Sequence, residues 1–368
     1  MVFPERRTAH SHTPAIFTRP DELKQHVQTL VPRGRHVAFI NAQGYLAGSE
    51  RFLLGHLRHP DWATGGFFKM AVGTSASGEE LRREAQVTAL AGAMGIRSVN
   101  VLQPYTESDE GLGLVVFERL KQRACRLFSS KTQLDRVHPM TGRRVAMAFA
   151  GDALKQIPAN QDTSFLQRHD PRNKNASSFF DLWHGCERRL FAKRLPVVYV
   201  PYLERAPDLR RIVTRVRKSV VDEIESGDRE LAEKFVHNDY ALTNLGLARR
   251  RKPNEAGITV LDYEHSGASR NSVLALITDV ADFYRSCGVN NELRMQFVLE
   301  LVNIWKQSQL EHGNDILAAA MTFGTLLHCG SATKNRMNPD HHEHGEAMDL
   351  LAALPNNLRR LRMRVEVA

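Results

Sequence analysis

Apolar and polar residues follow two different patterns along this chain. From His36 to Leu120 the apolar residues fall in short runs separated by glycine, proline and polar residues, which is the pattern of β-strands. These runs predict strands over 36–41, 51–57, 66–72, 99–104 and 112–120. One helix interrupts them. It is predicted to start at the capping box Ser77–Glu80 and to end at Gly95, where a left-handed residue is expected.

Beyond residue 120 the apolar spacing changes to the period of helices. Helices are predicted over about 139–155, 178–193, 205–226, 272–287, 291–311, 314–329 and 344–365. A hairpin, Leu245–Ala248 with Ile258–Leu261, interrupts them. The pattern therefore predicts an N-terminal arm with a short helix over 1–30, a sheet-containing unit over 31–120 and a mainly helical unit over 121–368.

Composition is typical of a globular chain. Of the 368 residues, 42% are hydrophobic and 25% are charged, which argues against disorder and against a coiled coil as the main architecture. No apolar run is long enough for a membrane span, and no apolar segment follows the basic N-terminus as in a signal peptide. The four cysteines lie far apart without CxxC spacing. We therefore expect reduced thiols in a cytoplasmic protein.

Charge is unevenly distributed between the predicted units. The net charge is +9, and because acidic and basic residues nearly balance over 1–120, the excess falls in the helical unit. Such an excess suits nucleic acid, a membrane surface or an anionic ligand. No zinc finger or RNA-binding motif is present, so nucleic acid is disfavoured. We interpret the basic clusters within 210–218, 249–252 and 359–364, and the histidine cluster at 341–344, as solvated helix faces and turns.

The segment FVHNDYALTNLG, Phe235–Gly246, carries the clearest chemical pattern. An extended pair leads into His237 and Asp239, and Asn244 follows five residues after the aspartate. The second strand of the hairpin then leads into Asp262. Phosphoryl transfer needs such groups, because a carboxylate receives the proton of the acceptor hydroxyl and oxygen ligands hold Mg²⁺ on the triphosphate.

These residues resemble the aminoglycoside-phosphotransferase and choline-kinase branch of the protein-kinase-like superfamily. The catalytic loop of that branch, H-x-D-x-x-x-x-N, is similar to 237–244 of this chain, and its strand end I-D-W/F-E is similar to Leu261–Glu264. A further D-x-A on the next helix is similar to Asp279–Ala281. In this loop Asn238 replaces the usual small residue, which places the sequence on a divergent branch.

The resemblance implies a role for each matched residue. Asp239 would be the catalytic base that orients and deprotonates the acceptor hydroxyl. Asn244 and Asp262 would hold Mg²⁺. His237 and Asp279 would be structural residues that support the loop.

The resemblance also extends upstream into the predicted sheet. Lys69, in an otherwise apolar strand, needs a partner for its ammonium group, and Glu84 on the following helix would form with it the pair that holds the nucleotide phosphates. Gly44 and Gly48 would form a phosphate-binding loop through their backbone N–H groups. The segment from Glu118 to Leu120 resembles the strand end whose backbone receives adenine.

We therefore predict an α+β, bilobal protein-kinase-like fold, with a small antiparallel-sheet lobe plus one helix and a large helical lobe. The predicted activity is transfer of the γ-phosphoryl of ATP, with Mg²⁺, to a hydroxyl of a small molecule. The basic helical unit favours a neutral or anionic acceptor over a polycationic aminoglycoside.

Two other classes of function stay open, and so does the oligomeric state. They are a kinase-like nucleotide-binding module without catalysis, and a basic protein that binds nucleic acid or a membrane surface. A protein kinase is disfavoured because no D-F-G or A-P-E motif is found.

Overall fold

The computed structural model describes residues 19–43, 51–72, 76–120, 125–126, 136–153, 155–168, 210–218, 233–248, 257–307, 313–332 and 342–366. The chain divides into two compact units. One is Met1–Cys125 together with Leu261–Glu264, and the other is Arg126–Val260 together with His265–Ala368. The short segment Leu261–Glu264 thus belongs to the first unit, although the pattern of the sequence assigned it to the second.

Among the residues that the structure describes, the first unit contains an antiparallel sheet and two long helices. Its strands have the order β1-β2-β3-β5-β4. Its elements are α1 (Pro20–Leu30), β1 (Arg35–Phe39), β2 (Leu53–Arg58), β3 (Gly66–Val72), α2 (Ala76–Ala93), β4 (Val101–Glu107) and β5 (Leu112–Glu118). The ends of the five strands lie within three residues of their predicted positions, and Gly95 has the expected positive φ of 73°. The N-cap of α1 is Arg19, which makes no side-chain cap.

Both faces of this sheet are buried, and this decides where Lys69 lies. On one face Phe68 packs in a cluster with Leu23 of α1. On the other face Ala71 packs in a cluster with Leu81 of α2. Because successive side chains of a strand point to opposite faces, Lys69 shares the α2 face with Ala71.

The second unit is mainly helical with short strands. The helices that the structure describes in it are α3 (Met140–Asp152), α4 (210–218), α5 (Ser272–Ser286), α6 (Asn291–Gln307), α7 (Gly313–Ala332) and α8 (His342–Glu366). Strand β6 (Cys125–Arg126) spans the boundary between the two units along the chain. The strands described in the second unit are β7 (Gln167–Arg168), β8 (Lys234–Val236), β9 (Leu245–Ala248), β10 (Ile258–Val260) and β11 (Gly267–Ser269). The hairpin β9–β10 is confirmed, with Leu245 opposite Val260. The strands β7 and β11 are too short to give an alternating pattern, and the sequence did not predict them.

Helix α5 is the central support of the second unit. At its N-terminus the side chain of Asn271 accepts a hydrogen bond from the backbone N–H of Leu274 at 2.8 Å. Past its C-terminus Arg294, only 1% exposed, donates to the carbonyl of Gly288. The guanidinium of Arg294 also lies 5.2 Å from the ring centroid of Tyr284. A buried cation at the negative end of a helix is favourable, so both ends of α5 are fixed.

Helix α7 packs very closely against α5. A Cβ atom added at Gly324 would lie 2.7 Å from the carbonyl oxygen of Ala281. Only glycine permits this approach of two helix backbones without a shift. The position of α5 therefore depends on a residue without a side chain.

The predicted mixed α+β architecture with an N-terminal antiparallel sheet is confirmed. Among the helices that the structure describes, none combines the length and the apolar character that a membrane span requires. Several predictions fall outside the described residues. They concern Gly44, Gly48, helix 178–193, most of helix 205–226, the basic turn 249–252 and the side chains at 341–344.

Candidate active site

Lys69 is the centre of an ion-pair cluster in the first unit. Its Nζ donates to Oε1 of Glu84 at 2.8 Å and to Oδ1 of Asp262 at 3.0 Å. The side chain of Glu84 is only 4% exposed, whereas that of Asp262 is 41% exposed. Burial by itself would lower the pKa of Lys69, but the two carboxylates outweigh burial and raise the pKa. Lys69 therefore stays charged.

Arg51 adds a second cation to the same unit. Its Nη2 lies 2.9 Å from Oε1 of Glu264 and also pairs with Glu80. Arg83 donates to the backbone carbonyl of Glu264 at 2.5 Å. The segment that carries Asp262 is thus held through its backbone and its side chains. Arg51 and Glu264 are 213 positions apart, and nothing in the sequence predicted this contact.

Three carboxylates of this unit form a set that suits a divalent metal. Oxygen atoms of Glu84, Asp262 and Glu264 lie within 4.8 Å of one another. Asp262 has a φ of 55°, a left-handed conformation that aspartate tolerates and that often marks functional sites. Mg²⁺ prefers carboxylate oxygens. The donor set therefore fits Mg²⁺, with Asp262 as its most exposed member.

Two aromatic side chains share the face of the sheet that carries Lys69, and the sequence did not single them out. Phe67 lies two residues before Lys69 on β3, and His56 is its partner on β2. Their ring centroids are 5.6 Å apart. Burial and the nearby charge of Arg119 both lower the pKa of His56.

The predicted adenine-binding segment is held to the rest of the first unit. The backbone N–H of Glu118 donates to the carbonyl of Asn100 at 2.8 Å, and that of Arg119 donates to the carbonyl of Gly65 at 3.2 Å. Leu120 packs against the α2-side core. These bonds fix the position of the strand end.

The loop of the second unit is held by Asp279 of α5. Its Oδ2 accepts from the backbone N–H of His237 at 3.1 Å, and its Oδ1 accepts from that of Asn238 at 2.6 Å. Asn238 has a φ of 58°, which asparagine and glycine tolerate best. This explains why asparagine can stand at this position. Burial raises the pKa of Asp279 to about 8, and the two N–H donors oppose that effect.

Asn244 is hydrogen-bonded to Asp239. Its Nδ2 donates to Oδ2 of Asp239 at 2.8 Å and to the backbone carbonyl of the same residue at 3.0 Å. The turn Leu242–Asn244 is held in place because the backbone N–H of Leu242 donates to Oγ of Ser286 at 2.9 Å. Since the amide nitrogen of Asn244 binds Asp239, its amide oxygen is the atom that could bind a metal.

Two charged residues of α5 also belong to this loop site. Arg285 donates from Nε to Oδ1 of Asp282 at 2.7 Å, and its Nη2 lies 3.8 Å from Oδ1 of Asp239. The sequence contained a signal for this helix face, because its polar residues Asp279, Asp282 and Ser286 recur at three- and four-residue spacing. The site prediction nevertheless stopped at Asp279.

The predicted site residues thus fall into two groups, one in each unit. The first unit brings together Lys69, Glu84 and Asp262, with Glu118 and Leu120 at the end of β5. The second unit brings together His237, Asp239, Asn244 and Asp279.

Comparison with solved structures identifies the fold. A spectinomycin phosphotransferase, determined with ADP and spectinomycin, superposes with a TM-score of 0.54 at 12% identity, covering 95% of this chain and 99% of its own. This chain has the fold of that phosphotransferase. A Plasmodium vivax ethanolamine kinase matches with a TM-score of 0.48 at 12% identity over 96% of this chain and 94% of its own. A Cryptosporidium parvum choline kinase matches with a TM-score of 0.45 at 13% identity over 95% of this chain and 96% of its own.

The resemblance inferred from the motifs is confirmed at the level of the fold, which is protein-kinase-like. No protein-family model matches the sequence, and no characterised protein matches it by sequence. At such low identity the shared fold leaves the reaction and the substrate to be argued from the residues of this chain.

Proposed function

We propose that this protein is an ATP-dependent phosphotransferase that moves the γ-phosphoryl of ATP to a hydroxyl of a small molecule. The observation that carries the proposal is the position of Lys69, which binds both Glu84 on α2 and Asp262. Asp262 lies 193 positions after Lys69 in the chain. A charged lysine on a buried strand between two carboxylates suits the binding of phosphates and their metal ion. The ADP bound by the spectinomycin phosphotransferase supports a nucleotide as the ligand.

The residues of this chain have distinct roles in the proposed reaction. Asp239 orients the acceptor hydroxyl and takes its proton as the hydroxyl oxygen forms its bond to the γ-phosphorus. The bond from that phosphorus to the β,γ-bridging oxygen breaks, and ADP leaves with the electron pair. Lys69, held by Glu84, stabilises the charge on the phosphates. The protein thus contributes position and charge.

Asp262 and the amide oxygen of Asn244 are the groups that we assign to Mg²⁺. When bound, Mg²⁺ neutralises phosphate charge during the transfer. His237 and Asp279 hold the loop, and the backbone of 118–120 and the glycines at 44 and 48 contact the nucleotide. We assign nucleotide binding to 31–120 and acceptor binding to 121–368, in a cytoplasmic enzyme.

The excess of basic residues in the second unit favours a neutral or anionic acceptor. The test is a screen with ATP labelled on the γ-phosphoryl, Mg²⁺ and a panel of hydroxyl metabolites and antibiotics. We expect transfer of label to one compound class, dependent on Mg²⁺ and lost in Asp239→Asn.

Two results would contradict the proposal. Tight binding of Mg·ATP without any turnover would indicate a non-catalytic module. Binding of nucleic acid or anionic vesicles that weakens steeply with salt, and that is indifferent to nucleotide, would indicate a basic binding protein.

A further inference from the structure

The carboxylate of Asp239 is contacted on both of its oxygen atoms. Oδ2 accepts the hydrogen bond from Asn244 at 2.8 Å, and Oδ1 faces Nη2 of Arg285 at 3.8 Å. The second distance is too long for a direct hydrogen bond, so Arg285 acts on Asp239 by charge. The two contacts come from different parts of the unit, a loop residue and a helix residue.

Arg285 is itself held in one orientation. Its Nε donates to Oδ1 of Asp282 at 2.7 Å, and the side chain of Asp282 is only 6% exposed. The side chain of Arg285 is 35% exposed. An arginine fixed at one end by a buried carboxylate loses little further freedom when its other nitrogen atoms face a second carboxylate. This differs from an exposed ion pair between two mobile side chains, which contributes little.

The same helix makes three separate contacts with the loop. Asp279 binds two backbone N–H groups, Arg285 faces the carboxylate of Asp239, and Ser286 accepts from the backbone of Leu242. The first and third contacts hold the backbone, whereas the second reaches the side chain that we assign to proton transfer. The contact of Arg285 is therefore the one that acts on chemistry.

We propose that Arg285, held by Asp282, is a positioning residue that orients the Asp239 carboxylate to receive the acceptor proton. This inference rests on the proposed phosphotransferase function and extends it to two residues outside the sequence motif. Without Arg285, Asp239 would keep its hydrogen bond from Asn244 but lose the charged contact on its other oxygen atom. Without Asp282, Arg285 would keep its charge but lose its orientation.

The test uses the full chain and the hydrolysis of Mg·ATP with water as the acceptor, measured as ADP release. We expect Arg285→Gln to lower kcat by about 10- to 100-fold while KM for Mg·ATP changes less than about threefold, because misplacement of a catalytic group affects the chemical step. Arg285→Lys keeps the charge and should recover part of this loss. Asp282→Asn should give an intermediate kcat.

The matched control is Arg360→Gln, which also removes an arginine from an ion pair of the second unit. Arg360 on α8 pairs with Glu292 on α6 at 2.8 and 3.2 Å, and this pair is exposed. This variant should keep kcat within about twofold of the parent, since exposed pairs contribute little. Thermal melting of each variant separates a loss of folded protein from a loss of kcat per folded molecule.

The outcomes separate the inference from the function on which it rests. If Asp239→Asn stops hydrolysis and Arg285→Gln has parental kcat, the function stands and the inference is wrong. If Arg285→Lys is as impaired as Arg285→Gln, or if Arg285→Gln unfolds while Asp282→Asn keeps parental kcat, the positioning role is also wrong. If the parent turns over no Mg·ATP with water or any acceptor, the proposed function fails.

Discussion

The two groups of site residues are held in different ways. In the first unit, charged side chains on a strand, a helix and a loop neutralise one another, with Lys69 bound to two carboxylates. In the second unit, Asp239 lies on an irregular loop whose backbone is bonded to side chains of α5. The first arrangement can exchange partners when a charged ligand arrives. The second arrangement fixes a geometry before any ligand arrives.

This difference predicts which kinetic constant each group controls. Charged groups that trade partners with phosphates and metal should govern binding of Mg·ATP. A preorganised loop should govern the chemical step, because its catalytic groups lose their conformational entropy when the protein folds and not during the reaction.

The largest effect is expected for the two aspartates. Asp239→Asn should lower kcat by about 10²- to 10⁴-fold, because it removes the proposed proton acceptor. Its Kd for Mg·ATP, measured by calorimetry, should stay within about threefold of the parent. Asp262→Asn should also lose turnover, but it should weaken Mg·ATP binding by about tenfold or more and make that binding insensitive to Mg²⁺.

The contrast between these variants is the informative result. If Asp239→Asn weakens binding as much as Asp262→Asn does, the division between binding and chemistry is wrong. Parental turnover in either variant would remove that residue from the site.

A smaller effect is expected from the support of the loop by α5. Gly324→Ala should lower the free energy of unfolding by about 1–3 kcal/mol, because its Cβ meets the backbone of Ala281 and cannot be accommodated by a side-chain shift. Gly345→Ala is the matched control on α8, where a Cβ meets nothing within 4 Å. It should be neutral or stabilising by up to about 1 kcal/mol. Denaturant unfolding measures both.

If Gly324→Ala is as stable as Gly345→Ala, helix α5 tolerates movement, and the loop is less rigid than its hydrogen bonds indicate. If Gly324→Ala is less stable but keeps its kcat, the loop does not depend on the exact position of α5.

The smallest effect concerns His56 in the first unit. Its pKa is lowered by burial and by Arg119, so below about pH 6.5 the unfolded chain binds a proton that the folded chain does not. This contribution to stability is present above the unfolded pKa and is lost as the pH falls. Between pH 7.5 and 5.5 the parent should therefore lose about 1–3 °C more in Tm than His56→Gln.

Arg119→Gln should reduce this difference without removing it, because burial is the larger cause. An equal loss of Tm in the parent and in His56→Gln would show that His56 takes up its proton equally in both states.

The sequence predicted much of the fold for local reasons. The short apolar runs placed the five strands of the first sheet, and glycine at position 95 marked the end of α2. The pair Lys69 and Glu84 was also predictable, because a lysine in an apolar strand needs a partner and the next helix offers one. The strands β7 and β11 escaped prediction because two or three residues do not establish a period.

The sequence predicted only part of the candidate site. Asp239, Asn244 and Asp262 followed from a motif with fixed spacing. Arg51 did not, because its ion pair with Glu264 depends on Leu261–Glu264 returning to the first unit. Arg285 and Asp282 had the right spacing on a helix, but a helical period alone does not say which face meets the loop.

The sequence by itself determined the five strands of the first sheet, the kinase-like motifs and the types of side chain available for phosphoryl transfer. Only the tertiary structure decided that Lys69 bonds both Glu84 and Asp262, that Asp279 holds the backbone of the loop and that Arg285 faces Asp239. The physical reason is the separation along the chain over which each interaction acts. Apolar period and capping act over a few neighbouring residues, whereas ion pairs and close helix packing depend on where distant segments meet.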